Sequence, residues 1–186
     1  MYASHETLEL ETCVHMRRSE KRFLPNVTAP APTLADDFLF WEGSTRVSTL
    51  GSGFALHVED AVCVRSDTLA TGWLQDALLA QGLNITEATE MATHWLPQMV
   101  EQSYVLISFV PKCILDRHAP LAISPTPQLL HRVFMLFSPV DIPPPTARSA
   151  VIPPPVDAVP SPAMRPAYTV VEWGGMCAVP LALPAA

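Results

Sequence analysis

The chain has 186 residues, 49% of them hydrophobic and 16% charged, which suits one domain able to bury a core and excludes disorder throughout. Eleven Lys and Arg against eighteen Asp and Glu give a net charge of −7, which repels phosphate backbones, so no nucleic-acid partner is expected. No apolar stretch reaches the ~20 residues that span a bilayer and the N-terminus lacks the apolar core of a signal peptide, so a soluble, cytoplasmic protein is the default expectation.

From Thr7 to Arg17, Leu8, Leu10, Val14 and Met16 alternate with Glu9, Glu11, His15 and Arg17, the period of a strand with one wet face. The basic cluster that follows, Arg17, Arg18, Lys21 and Arg22, reads as a solvated strand end. "PNVTAPAP", residues 25–32, cannot sustain a ladder because proline lacks the amide donor. Residues 1–37 are therefore expected to be an N-terminal strand and a connection, with one domain over 38–175 and a tail at 176–186. "FLFWEG" reads as a buried strand stopped by glycine, with Glu42 at its end. Residues 43–53 read as a loop or weak hairpin, and 54–64 have strand character again.

Helix signals follow. Ser66 or Asp67 can cap a helix over Asp67–Gln81, Gly82 supplies its left-handed stop, and Leu69, Trp73, Ala77 and Leu78 share one face. A second helix is expected over Ile85–Glu101. Asn84 and Glu87 fit a capping box, Ile85, Ala88, Ala92, Trp95, Leu96 and Met99 form an apolar stripe, and Pro97 should kink or end the regular part.

"SYVLISFV", "PLAISP" and "HRVFMLFSPV" then read as short strands with antiparallel neighbours. The proline-rich residues 139–166 favour polyproline II and read as a semi-rigid spacer. They contain neither PxxP nor PPxY, which weighs against a ligand for SH3 or WW domains. "YTVVEW" is a last strand whose partners lie far back in the chain. The expected class is α+β, an antiparallel sheet open to a sandwich-like arrangement, with two consecutive helices packed on it.

"FLFWEG", "GLNITEATEMATHWLPQM", "YVLISF", "RVFMLF" and "VVEWGG", in that order, resemble a family of uncharacterised, largely bacterial proteins. The resemblance covers Phe38 to Gly175 and implies one evolutionary unit over that range. It transfers neither a mechanism nor catalytic residues, and the long proline-rich insert and the first thirty-odd residues depart from the family pattern.

The chemistry-bearing residues are sparse in motifs. Cys13, Cys63, Cys113 and Cys177 form no CxxC, and most read as buried small apolar side chains in a reduced compartment. Both asparagines, Asn26 and Asn84, stand in sequons, acceptors only in a secreted protein. His5, His15, His57, His94, His118 and His131 show no ligand spacing, so no metal is expected; without GxGxxG or a Walker loop, no cofactor is expected. Ser52 lacks the GxSxG elbow.

What remains is the echo of "FLFWEG" in "VVEWGG". Glu42 and Glu172, flanked by Trp41 and Trp173 and joined by His94 or His131, would form a rim if the two blocks paired side by side. Two readings follow. One is a non-catalytic binding or interaction module that takes a protein or carbohydrate at these strand ends. The alternative is a carboxylate-dependent hydrolase acting on glycans, with the tryptophans as sugar platforms. The plainer assignment gives the glycines to turns or bulges and leaves the carboxylates in water or paired with Arg46 or Arg132.

Overall fold

The computed structural model describes residues 7–16 and 38–46, as backbone strands, and 54–178. Six strands form one sheet in the order β2-β1-β6-β5-β4-β3: β1 (Thr7–Met16), β2 (Phe38–Arg46), β3 (Val62–Arg65), β4 (Tyr104–Val110), β5 (Leu129–Val140) and β6 (Thr169–Cys177). Every neighbouring pair is antiparallel except β5 and β6, which run parallel. The α+β class, with a mostly antiparallel sheet and two consecutive helical segments packed on it, follows from the sequence pattern.

The N-terminal strand lies inside the sheet, between β2 and β6. "PLAISP" is not a strand. The chain leaves β4 into a short helix, α4 (Lys112–His118), and passes residues 119–128 without regular structure. Of residues 54–64 only Val62 onward joins the sheet.

The helical layer begins with α1 (Ser66–Thr68), a π turn (Leu69–Trp73) and α2 (Leu74–Ala80), continues through Gly82 at φ +89°, and ends with α3 (Ile85–Met99). The π turn contains Gly72 at φ +115°, a conformation costly for a residue with a Cβ. The capping box at α3 is complete: Glu87 N donates to Asn84 Oδ1 at 2.9 Å, and Asn84 N donates to Glu87 Oε2 at 2.8 Å. Pro97 lies inside α3, and the helix runs on to Met99. Ile85 departs from the expected stripe and is exposed, while Met91 is buried in its place.

Alternation along the strands divides the core in two. Val105, Ile107, Phe109, Val133, Met135, Phe137, Val171 and Trp173 pack with the helices. Leu106, Val110, Phe134, Leu136 and Met176 pack on the opposite face with Phe54, Leu56, Val58 and Leu115. Burial on both faces is why "RVFMLF" and "VVEWGG" read as nearly continuous apolar runs. Among the described residues no helix is long and apolar enough to cross a membrane.

The glycines of "VVEWGG" do not end the strand, because β6 continues to Cys177. A Cβ on Gly175 would lie 3.0 Å from Trp95 Cε2 and 3.1 Å from the Met135 carbonyl oxygen, so the position is kept bare for an indole against neighbouring backbone. Neither group is a flexible side-chain end. Gly175→Ala is expected to lose about 1–3 kcal/mol in urea denaturation, the usual cost of overpacking a core; a loss below the error of the measurement would contradict this seat for Trp95.

The proline-rich segment is an ordered strap rather than a spacer. It carries the chain from β5 to β6 across the helical layer, which holds it by side-chain hydrogen bonds. Trp73 Nε1 donates to Ala150 O at 3.2 Å, Gln81 Nε2 to Pro154 O at 3.1 Å, and Val156 N to Gln81 Oε1 at 3.0 Å. Lys112 N donates to Asp157 Oδ2 at 2.8 Å. Arg165 donates to Glu87 Oε1 at 2.7 Å and to Gly82 O at 2.5 Å. At its start the strap bridges the edge of β3, where Cys63 N donates to Arg148 O at 2.9 Å.

Candidate functional site

Strand register decides what the two Trp-Glu blocks can do together. They share a sheet but are not neighbours, since β1 lies between β2 and β6. Glu42 stands in the row of Glu11 and Gly175, whereas Glu172 stands in the row of Leu39, Val14 and Arg132. Rows three residues apart belong to opposite faces of a sheet. A shared carboxylate rim is therefore corrected by the register. Both glutamates also sit within their strands rather than at the ends. The side chains of Trp41 and Glu42 lie outside the described residues, as do those of Arg46 and Cys13.

Glu172 is only 2% exposed and takes a hydrogen bond on Oε2 from Arg132 Nε, its partner in the parallel register of β5 and β6. Arg132, 3% exposed, also donates from Nη1 to Asp116 Oδ1 at 2.7 Å and to Ala119 O at 2.8 Å. Lys112 completes the network by bonding Asp116. Burial pulls the Arg132 guanidinium down, but its bonds to Glu172 and Asp116 outweigh that and hold its pKa above the usual range. At Asp116, burial pushes up and the bonds from Lys112 and Arg132 outweigh it, leaving the carboxyl below its ordinary value. The pairing of Glu172 with Arg132 foreseen by the plainer assignment is the one present.

Trp173 belongs to the helical side of the core, where it meets His94 with ring centroids 6.4 Å apart. His94 also packs edge-on against Trp95 at 4.9 Å. Two of the five candidates, His94 and Trp173, thus come together, while Glu172 faces the other side of the sheet. A buried tryptophan cannot act as a sugar platform.

His131, also named in the sequence, is 3% exposed and lies beneath the α2–α3 turn. A cavity of about 10 Å³, the size of one water molecule, is lined by His131, Gln81, Arg132 and Asp157. Burial, then repulsion by Arg165, lowers the His131 pKa from 6.5 to about 4. Its imidazole is neutral at pH 7.

The thiols differ from the buried role expected of them. Cys113 and Cys177 are exposed and Cys63 is half-buried, and all three are free. Partial burial raises the pKa of Cys63, which disfavours the nucleophilic thiolate there. Among the described residues no group of three or more His, Cys, Asp or Glu is arranged to hold a metal ion.

The feature that sequence reasoning missed lies over the helices. An open groove of about 530 Å³ runs between the end of α2 and the strap, lined by Leu79, Ala80, Gly82, Pro155, Val159 and Pro160, with Asp157 as the charged residue of its lining. Beyond it the strap turns Ile142, Val151 and Met164 outward, at 79%, 68% and 74% exposure. The signal was present in the sequence as apolar residues interleaved with proline. No family model, curated protein or solved structure matches the chain.

Proposed function

We propose that this protein is a non-catalytic interaction module that contacts a partner protein through the proline strap and the helical surface beside it. The observation that carries the reading is the strap itself. A segment pinned by Trp73, Gln81, Lys112 and Arg165 still directs Ile142, Val151 and Met164 into solvent. A backbone already held in place has little freedom left to lose when its outward apolar side chains are covered, which favours association. The hydrolase alternative draws no support from Glu172, which is buried and bound to Arg132. The binding surface moves accordingly, from the Trp-Glu blocks to the strap.

Chemical cross-linking in the source cells, followed by mass spectrometry, tests this. Val151→Asp and Met164→Asp alter exposed side chains and are expected to change stability by no more than about 0.5 kcal/mol. Each is expected to reduce recovery of a cross-linked partner at least tenfold. Arg117→Asp, at an exposed position of α4, serves as the control and should leave recovery intact. Equal recovery by all three variants would contradict the proposal.

A further inference from the structure

Resting on that reading, we infer that the groove between α2 and the strap takes a short extended segment of the partner, one aliphatic side chain flanked by lysine or arginine. Its apolar part follows from the lining: Leu79, Ala80, Val159 and the proline rings offer no charge to an inserted side chain.

The walls are fixed in advance. A Cβ on Gly82 would lie 2.5 Å from Val159 Cγ2, so turn and strap touch at their closest approach. Gln81 and Arg165 fasten the strap on either side of that contact. An occupant therefore need not order the site before filling it.

The cationic flanks follow from charge. From Ser66 to Val110 the chain has five carboxylates and neither lysine nor arginine, and of the five Asp67 is matched by Arg65 and Glu87 by Arg165. Asp157 lines the groove, and exposed Asp76 stands one helical turn before Ala80. The nearby cations are already matched, Arg165 by Glu87 and Lys112 by Asp116. Pro155, Pro160 and Pro162 have no N–H to offer in the wall, and the Pro162 carbonyl already accepts from Arg165 N. A wall whose charged residue is a carboxylate, with exposed Asp76 beside it, is complemented by a positively charged ligand.

Titration of the full-length, 15N-labelled protein with three peptides tests the assignment. The probes are acetyl-Ala-Lys-Leu-Lys-Ala-amide and its versions with glutamate for lysine or serine for leucine. The first is expected to shift the amide signals of Leu79, Ala80, Gly82 and Val159 with millimolar affinity. The other two, and the first peptide against a Leu79→Gln variant, should bind at least tenfold more weakly.

Equal binding of the glutamate peptide, or shifts confined to another surface, would overturn the inference. Strap variants that still lose their cross-linked partner would then leave the interaction reading standing. Selective binding of the lysine peptide, with partner recovery indifferent to the strap variants, would support the groove and contradict the wider reading.

Discussion

Arg132→Met is expected to cost about 3–5 kcal/mol in urea denaturation, the loss seen when one member of a buried ion pair is removed. The substitution leaves the Glu172 carboxylate in the core, and Asp116 loses one of its two cations. Glu172→Gln should shift stability in the same direction by less, because Arg132 keeps Asp116 and the Ala119 carbonyl. A rim carboxylate waiting for a ligand would instead tolerate the glutamine exchange with little change in stability. Arg132→Met combined with Glu172→Leu removes both charges, and since Asp116 is partly exposed it can rehydrate. That double variant is expected to recover to within about 1 kcal/mol of the parent, so the cycle reports a large coupling between the two positions. A loss below about 1 kcal/mol for Arg132→Met alone would show that the pair is not sealed in the core.

The parts of the fold legible in the sequence were those whose signals are local. Asn84 and Glu87 make their capping box from a spacing of three, Gly82 stops α2 through its own backbone, and the alternation from Thr7 to Met16 marks β1. Pairing over long distances was not legible, for a physical reason. "VVEWGG" looks the same whether its neighbours are antiparallel or parallel, and the parallel register of β5 and β6 alone sets Arg132 beside Glu172. The same parity separates Glu42 from Glu172. Trp-Glu in succession places its two residues on opposite faces, and the register of β1 with both blocks fixes which face each takes.

The strap was misread for a related reason. A parallel pair needs a crossover, usually a helix, and residues 139–166 have too many prolines to form one. Local turns satisfy a few of the strap's carbonyls, as where Ala147 N donates to Pro144 O and Met164 N to Ser161 O, and others find donors elsewhere. Trp73 and Gln81 supply them, on a helical face whose sequence shows only that tryptophan is apolar and glutamine polar. A composition that signals a semi-rigid spacer becomes a fixed surface once such donors are in place.

Acidification tests the anchoring of that surface. His131 faces Arg165, Glu87, Asp157 and the main chain of Gln81, and its pKa falls from 6.5 to about 4 on folding, through burial first and Arg165 second. Since the unfolded chain binds the proton more readily, stability attributable to this residue is complete above about pH 6.5, declines as the pH falls, and is lost once it passes about 4. The depression corresponds to on the order of 3 kcal/mol, at about 1.4 kcal/mol for each pH unit. His131→Gln removes the titration and should flatten the difference between urea midpoints measured at pH 7 and pH 4.5, whatever constant cost it adds at both. Hydrogen exchange should report the place of failure. With the imidazole protonated beside Arg165, the amides of Gly82 and Val156 are expected to lose protection before those of β4 and β5, because the charge arises under the turn that the strap covers. Parallel pH profiles for parent and variant would show that His131 titrates in the fold as it does in the unfolded chain, and would remove the imidazole from the strap's support.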